Sequence, residues 1–350
     1  MKILSGLSIR GIFNSPPAGV KKEFKKLWKD FGVGHDIRWL TIYGSISGIW
    51  DPRYVPETIY YNHIEPRLND KSFSKAWTDK NFCQHVLKEF NLPVTILKNA
   101  GGVYYDANNL QISRGMAMEI IEREDRFIIK PSVDSGGGKD VFLLTKTSDG
   151  FSSGKVLYRS PDEILSFHKK NFIVQEVIDQ HPFYSSFNPS SVNTVRFLTY
   201  RSVKDEKVNI LNVVFRVGKE GSITDNQASG GYACGMTPDG RLTGRAVTKE
   251  GMIFDNVNGI FLEPGLKLEA FNKMAETALK TAHYFPYSRL IGMDICLDKF
   301  AEVILIEVNN LNNEINFYQM LGKPLFGEFT DEIINYCRNA RKSFMIDFEI

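Results

Sequence analysis

The feature that most constrains this chain is a pair of apolar segments near residue 300, joined by a short polar loop. Leu290–Leu297 and Val303–Asn309 flank the loop Asp298–Glu302, a pattern typical of an antiparallel β-hairpin. With this loop at the tip, Asp294 falls opposite Glu307. Successive strand residues point to opposite faces of a sheet. The hairpin therefore has a predicted core face, formed by Ile291, Met293, Ile295, Leu297, Ile304, Ile306 and Val308, and a polar face, formed by Gly292, Asp294, Cys296, Leu305, Glu307 and Asn309.

Two facing carboxylates on this hairpin predict a cation site. Like charges directly opposite each other destabilise a β-sheet, and Asp294 and Glu307 lie on a hairpin that is otherwise built for burial. With the amide oxygen of Asn309 they form a set of hard oxygen ligands, which suits Mg²⁺. The alternative is a polar sheet edge that faces solvent. In the metal-free protein, removal of either carboxylate should relieve the repulsion, so stability is expected to hold or rise.

A glycine-rich turn lies between two other apolar β-runs. The first run, Phe127–Lys130, is followed by Ser135, Gly136, Gly137 and Gly138. Consecutive glycines let backbone N–H groups approach an anion closely, so this turn is predicted to cover phosphates, with the Lys130 ammonium aimed at the same space. It is not a Walker P-loop, because the G-x-x-x-x-G-K-[ST] pattern is absent. The alternative is an ordinary hairpin with a surface lysine.

Two further positions carry candidate ligand contacts. The β-run Phe172–Val177 turns polar at its end, and a segment of this kind can offer a backbone amide and carbonyl to the edge of a purine; a plain core strand is the alternative. Arg196 and Arg216 lie inside apolar β-runs, where a charged side chain is rare unless it is paired. They either bind an anionic substrate or form a structural salt bridge.

The remaining periodicity predicts an α+β protein. Helices are expected at Asp79–Phe90, where Asp79 caps well, at Glu269–Tyr284 and at Thr330–Phe344. Other β-runs are Asp140–Thr145, Val192–Arg201 and Val208–Val217. Strands that alternate with helices and connect mostly as hairpins are typical of α+β folds.

Composition excludes several classes of protein. Hydrophobic residues make up 43% of the 350, which is enough for a large core and argues against disorder. The 43 Lys and Arg residues balance 41 Asp and Glu, so a broad nucleic-acid surface is not predicted, and the basic run 21–29 is best interpreted as a solvated surface helix. The four cysteines are too dispersed for a zinc or disulfide framework, and no apolar run is long enough to span a membrane. A reduced, cytoplasmic protein is expected.

Taken together, these segments resemble the ATP-grasp superfamily, and within it the sugar-transfer-associated ATP-grasp family of bacterial surface-polysaccharide biosynthesis. The similarity runs from about Asp79 to Gln319. It rests on the order and spacing of Asp79-Lys80, Ile129-Lys130-Pro131 with its glycine turn, Val174–Ile178, Ser191–Arg196, Phe215–Gly218, Asp225-Asn226 with Gly230-Gly231, Gly292-Met293-Asp294 and Glu307-Val308-Asn309.

The resemblance implies an ATP-grasp fold, in which two α+β subdomains grip ATP, preceded by an N-terminal mixed α/β region. It also implies a role for each candidate residue. Lys80 and Lys130 would hold the α- and β-phosphates, Ser135 and Gly136–Gly138 would cover them, Glu176 and Val177 would meet adenine, and Asp294, Glu307 and Asn309 would bind one or two Mg²⁺ ions. Arg196 and Arg216 would contact the γ-phosphate, an acyl phosphate or the substrate carboxylate.

The sequence departs from the family pattern at two places. Many ATP-grasp ligases carry Arg two residues before the metal-binding Asp, where this chain has Gly292, so the charge of the transition state must be met elsewhere, by Arg196 or Arg216. A His-Pro pair typical of the family, which follows the paired glycines, has no counterpart between Gly231 and Leu290.

The function expected from the resemblance is a Mg-ATP-dependent ligase that joins a small or sugar-linked carboxylate to an amine. The alternatives are a kinase for a small molecule or glycan hydroxyl, and a catalytically silent nucleotide-binding partner of a glycosyltransferase. Three regions are predicted. Residues 1–115 form the acceptor side, with Trp50–Tyr54 and Tyr60–His63 helping to shape that site, and they also begin the ATP-grasp unit. Residues 116–180 form the small subdomain with the glycine-rich phosphate loop, and residues 181–350 form the large subdomain with the Mg²⁺ site.

Overall fold

The N-terminal third of the protein is helical and packs against a sheet formed much later in the chain. The computed structural model describes residue 11 and residues 13–31, 36–133 and 138–339, without the side chains of Lys75 and Asn339. The helices before the first strand are α1 (Ala18–Trp28), α2 (Ile37–Ser47), α3 (Glu57–Ile59), α4 (Glu65–Leu68), α5 (Lys71–Thr78) and α6 (Lys80–Val86), with a π-helical turn at Tyr60–Ile64. The basic run lies in α1, which buries Phe24 and Trp28 and exposes its lysines. This agrees with the predicted surface helix.

An eight-stranded antiparallel sheet follows the helices. Its order is β3-β2-β1-β8-β4-β5-β6-β7, so the last strand of the unit inserts between β1 and β4. The elements are β1 (Thr95–Ala100), β2 (Val103–Asp106), β3 (Gln111–Ile112), α7 (Arg114–Arg123), β4 (Arg126–Pro131), β5 (Phe142–Thr147), β6 (Gly150–Ser152), β7 (Leu157–Tyr158), α8 (Pro161–His168) and β8 (Phe172–Gln175). Helices α7 and α8 pack on this sheet around Ile121, Phe127 and Leu165.

A seven-stranded antiparallel sheet forms the second half, in the order β13-β12-β11-β10-β9-β16-β17. One face buries a cluster around Tyr200 and Tyr318 against the N-terminal helices, and the other packs on α10 around Phe197 and Met274. The elements are α9 (Pro182–Ser185), β9 (Thr194–Arg201), β10 (Val208–Val217), β11 (Tyr232–Met236), β12 (Leu242–Val247), β13 (Ile253–Phe254), β14 (Asn256–Val257), β15 (Ile260–Phe261), α10 (Phe271–Ala282), β16 (Leu290–Leu297), β17 (Val303–Asn309), α11 (Asn316–Met320) and α12 (Thr330–Asn339).

The α+β prediction is therefore confirmed, and each predicted β-run and helix overlaps an observed element. Residues 340–344 of the predicted helix Thr330–Phe344 lie outside the described residues. The proposed division at residues 115 and 180 stays a prediction. The eight-stranded sheet takes strands from both sides of residue 115, because β1–β3 precede it and β4–β8 follow it. Within the described ranges, no helix combines the length and apolar character needed to cross a membrane.

The β16–β17 hairpin has the predicted loop and the predicted carboxylate register, with one residue more than a regular ladder allows. Leu297 pairs with Val303 beside the loop, and in a regular ladder this would pair Asp294 with Ile306. Asp294 pairs with Glu307 instead, because a β-bulge adds one residue to β17 between the two pairs. The bulge changes the facing of β17. Leu305 pairs with Ile295 and is buried in the core, whereas Ile306 lines the cleft described below. The predicted facing of these two residues, Leu305 polar and Ile306 core, was wrong for this reason.

Candidate functional site

A cleft of about 980 Å³ lies between the two sheets. It brings together all the predicted site residues that the structure describes, although they are spread over more than two hundred positions of the chain. These residues are Lys80, Lys130, Gly138, Glu176, Val177, Arg196, Arg216, Asp294, Glu307 and Asn309. The other three predicted residues, Ser135, Gly136 and Gly137, lie outside the described residues.

One part of the cleft is apolar with a polar backbone edge. Ile128 and Leu143 are cross-strand partners in the eight-stranded sheet, and Ile306 lines the cleft from the other sheet. The Glu176 N–H donates to the Val94 carbonyl at 2.9 Å, so this amide is already used. The Glu176 carbonyl and the Val177 N–H have no hydrogen-bond partner within the described ranges. This donor and acceptor beside an apolar wall can receive the edge and face of a heterocyclic base.

Two lysines approach the cleft from the ends of their elements. Asp79 caps α6 by accepting from the Asn81 N–H, and the Lys80 N–H donates to the Ser132 carbonyl at 2.9 Å, which ties α6 to the end of β4. Lys130 lies on β4 and lines the same cleft. Burial and the nearby Lys80 charge disfavour its ammonium and lower the pKa of Lys130 to about 8. Such an ammonium would gain from an anionic ligand.

Glu307 is the carboxylate nearest these lysines. The Lys80 Nζ lies 2.9 Å from its Oε1, and about a third of the Glu307 side chain stays exposed to the cleft. Burial and the nearby Asp294 charge oppose ionisation of this carboxylate, but the Lys80 and Lys130 ammonium groups together outweigh them and lower the pKa of Glu307. Glu307 is therefore a charged oxygen donor that faces the cleft and already has one cationic partner.

Asp294, the opposite carboxylate, is buried and held by two arginines. Arg196 donates from Nε to Oδ1 at 2.7 Å and from Nη2 to Oδ2 at 2.5 Å, while the Arg216 Nη1 donates to Oδ2 at 3.0 Å. Burial opposes ionisation, yet these guanidinium groups lower the pKa of Asp294 to about 2. Both arginines thus form the ion pairs that the salt-bridge interpretation predicted. The expectation of unrelieved carboxylate repulsion was wrong, because the cations come from neighbouring strands: Asp294 faces Arg196 across the β9–β16 ladder.

A second buried carboxylate, Asp225, completes this ion-pair network. Its Oδ1 lies 3.1 Å from the Arg216 Nη2, and its Oδ2 accepts from the Thr194 N–H at 3.1 Å. The loop that carries it depends on Gly231, because a Cβ there would lie 2.6 Å from the Asp225 carbonyl oxygen. The sequence analysis noted Asp225 and the paired glycines but assigned them no role. The available signal was the close approach that such glycines permit.

The oxygen donors on the hairpin fit a hard divalent cation. No group of three His, Cys, Asp or Glu side chains able to hold a metal occurs in the described part of the chain. Asp294 and Glu307 face each other, however, and Asn309 lines the same cleft and has an amide oxygen of the kind that hard cations accept. Mg²⁺ is commonly bound by one or two carboxylates, with the remaining ligands supplied by water and substrate phosphates. This set of donors satisfies that requirement.

The predicted N-terminal contributors do not line the cleft. Neither Trp50–Tyr54 nor Tyr60–His63 is among its lining residues. Of these residues, Tyr61 contacts the segment after β17, because its hydroxyl donates to the Asn313 carbonyl. Val55, which directly follows Trp50–Tyr54, also contacts this segment: its N–H donates to the Gln319 side chain at 2.6 Å. Asn313 and Glu314 do line the cleft, and neither was predicted. Only their position just after β17 could have indicated them.

Comparison with known proteins supplies the family. The model of a family described as sugar-transfer associated ATP-grasp matches residues 61–332, which is more than half of the chain. No curated protein matches the chain.

Similar solved structures share low sequence identity with the chain. The ATP-grasp ligase PsnB, complexed with a minimal precursor, is 13% identical with a TM-score of 0.42, and the alignment covers 77% of this chain and 63% of that one. VanG D-Ala:D-Ser ligase from Enterococcus faecalis is 15% identical with a TM-score of 0.43, covering 75% and 62%. N5-carboxyaminoimidazole ribonucleotide synthetase from Thermotoga maritima is 11% identical with a TM-score of 0.35, covering 71% and 50%. This chain spans less than two thirds of each of these structures.

Proposed function

Because this chain belongs to the sugar-transfer associated ATP-grasp family, we propose that it is a Mg-ATP-dependent ligase that joins a carboxylate to an amine in the modification of a surface sugar or polysaccharide. The observation that carries this proposal is that one cleft contains the apolar wall of Ile128, Leu143 and Ile306, two lysines and a set of oxygen donors. A cytoplasmic setting, where ATP is available, fits this reaction.

In this proposal, nucleotide binding uses the side of the cleft formed by the eight-stranded sheet. The Glu176 carbonyl and the Val177 N–H would contact the base, and Ile128 and Leu143 would pack on its face. Lys80 and Lys130 would contact the phosphates, where an ammonium forms charge-assisted hydrogen bonds. Gly138 lines the cleft and, with Ser135, Gly136 and Gly137, would form the predicted phosphate cover.

Asp294, Glu307 and Asn309 would hold Mg²⁺. When bound, the ion would neutralise phosphate charge and orient the phosphoryl group. The ion pairs described above would then have to rearrange, because Lys80, Arg196 and Arg216 now occupy the carboxylate oxygens. In the loaded site these three side chains would turn part of their hydrogen-bonding capacity toward the anionic substrates.

The proposed chemistry needs no nucleophilic side chain. The substrate carboxylate attacks the γ-phosphate of ATP to give an acyl phosphate and ADP, and the amine then displaces phosphate to form an amide. The protein would contribute position and charge, which carry most of the catalysis in phosphoryl transfer. Arg196 and Arg216 would supply the positive charge that Gly292 cannot.

An ADP-release screen of amines against carboxylated sugars and amino acids, followed by mass spectrometry of each hit, tests the proposal. The expected result is Mg-dependent ADP release with an amide product. A phosphorylated hydroxyl would instead identify a kinase, and ATP binding without turnover on any pair would identify a silent partner. The matched variants are Glu307→Gln, which should abolish Mg-dependent turnover, and Glu302→Gln in the exposed hairpin loop, which should not change it.

A further inference from the structure

One cleft residue presents a hydrogen-bond donor that the protein leaves unused. Asn313 is 5% exposed and lines the cleft, yet its Nδ2 atom has no hydrogen-bond partner among the described residues. Buried amide groups are normally paired. This donor therefore indicates that Asn313 contacts something other than the protein.

Asn313 lies close to the predicted metal centre. Its Oδ1 lies against Gly292, where an added Cβ would be only 2.5 Å away. Gly292 precedes Asp294 by two residues on the same strand and on the same face, a distance of roughly 7 Å. A ligand that meets Asn313 is therefore within reach of the metal-binding carboxylates.

The next residue supplies a negative charge. Glu314 lines the same cleft, is partly exposed, and has no hydrogen bond or ion pair among the residues described. It differs in this respect from Asp294, Glu307 and Asp225, which all have cationic partners. A carboxylate without a partner beside an amide without one favours a ligand that carries an ammonium group and a neighbouring oxygen.

The backbone at this point is fixed from behind by the N-terminal helices. Glu65, which is fully buried, accepts from the Asn313 N–H at 2.9 Å and from the Tyr60 hydroxyl at 3.1 Å. The Tyr61 hydroxyl donates to the Asn313 carbonyl at 3.2 Å. Because these contacts use only the backbone of Asn313, its side chain is held at the cleft with its own donor unused.

We propose that Asn313 and Glu314 form the subsite for the amine acceptor, in which the Glu314 carboxylate binds a primary ammonium and the Asn313 Nδ2 donates to an adjacent hydroxyl or carbonyl oxygen. This inference rests on the proposed ligase function and names its acceptor class. Amino sugars and amino-acid derivatives share this chemistry.

The test is calorimetric titration of the full chain with two amine probes, D-glucosamine and L-alaninamide, in the presence of Mg²⁺ and AMPPNP. The matched neutral probes are D-glucose and propionamide. At least one amine should bind more tightly than its neutral partner, and the stronger of the two identifies the source. Glu314→Gln should weaken the binding of that amine about 10-fold or more, so that the amine binds no more tightly than its neutral probe. Asn313→Ala should also weaken it, and its fold should persist because its side chain bonds to no described residue.

Two controls are Glu302→Gln, in the exposed hairpin loop, and Asn212→Ala, which removes a buried asparagine that does not line the cleft. Both should bind the amine as wild type does. The inference is overturned if neither amine binds better than its neutral probe, or if Glu314→Gln retains full affinity. AMPPNP is titrated separately. If AMPPNP does not bind, the proposed function fails. The preference of the cleft for amines over neutral probes is then tested separately, by titration without nucleotide.

Discussion

Replacement of Asp294 by Asn is expected to destabilise the metal-free protein. The substitution keeps the side-chain shape but removes the charge that the buried Arg216 and the partly buried Arg196 contact at 2.5–3.0 Å. Depression of the pKa from 3.8 to about 2 corresponds to about 2–3 kcal/mol of stabilisation at neutral pH. Breaking a buried ion pair commonly costs about 3–5 kcal/mol. We therefore expect a loss of about 3 kcal/mol, because attraction to the arginines outweighs repulsion from Glu307.

The pH dependence follows from the sign of the shift. The pKa of Asp294 is lower in the folded state than in the unfolded chain, so its stabilisation is complete above about pH 4 and is lost as the pH falls through about 2. The difference between wild type and Asp294→Asn should be constant from pH 5 to 7 and shrink below pH 4. Urea denaturation without nucleotide or metal measures it at each pH.

A matched control is Asp205→Asn, whose partner Lys207 is largely exposed. Exposed pairs contribute little, so this variant should denature as wild type does. Glu307→Gln should lose less stability than Asp294→Asn, because its side chain is more exposed and has a single lysine partner in the ion-pair contacts. If Asp294→Asn is as stable as wild type or more so, the two carboxylates repel in the empty cleft and the ion-pair reasoning is refuted.

Lys130→Ala should weaken the binding of ATP about 10- to 150-fold, measured by calorimetry with Mg²⁺, because a charge-assisted contact is lost. Lys130→Arg should recover only part of the lost affinity. Unchanged ATP affinity in Lys130→Ala would leave Lys130 a structural residue. Since the pKa of Lys130 is lowered to about 8, ATP binding at pH 8.5 should take up a proton in wild type but not in Lys130→Ala, seen as a dependence of the binding enthalpy on the buffer. Arg196→Lys and Arg216→Lys should reduce turnover more than ATP affinity, because lysine keeps the charge and loses the guanidinium fork; small effects on turnover would count against a catalytic role. Gly231→Ala should destabilise the fold by about 1–3 kcal/mol, because the new Cβ would contact the Asp225 backbone. Gly115→Ala in α7 is the control: its Cβ would meet no atom closer than 3.7 Å, so the fold should keep its stability. Thermal denaturation of both variants checks this difference.

The elements of the fold were predictable where one face of a strand or helix is apolar. The hairpin at residues 290–309 and the helix that begins at Lys80 are examples, since alternation and an Asp cap mark them locally. The order of strands was not predictable. β8 pairs with β1 and β4, which lie far away in sequence, and no local pattern encodes these partners.

The site shows the same division. The pairing of Asp294 with Glu307 was predicted, but the short loop alone does not set it, because a regular ladder from Leu297 and Val303 would pair Asp294 with Ile306. The bulge that restores the pairing and turns Ile306 into the cleft was not predictable, since either strand could have carried the extra residue. The cations on Asp294 were also missed, because Arg196 and Arg216 reach it across the sheet from β9 and β10. Asn313 and Glu314 gave no signal beyond their position after β17, because their proposed role depends on which polar groups the protein leaves unpaired.

The contacts between the N-terminal helices and the segment after β17 have a consequence for recombination within this family. Residues 310–319 are anchored by hydrogen bonds from side chains or backbone groups in α2–α4 and their connections: Tyr43, Val55, Glu57, Tyr61, Glu65 and Asn69. A chimera that exchanges the first 70 residues for those of a relative would break these anchors unless both partners are exchanged together. Substrate preference in such hybrids should therefore change only when the first 70 residues and residues 310–319 are exchanged together. Exchange of either segment alone should not transfer it.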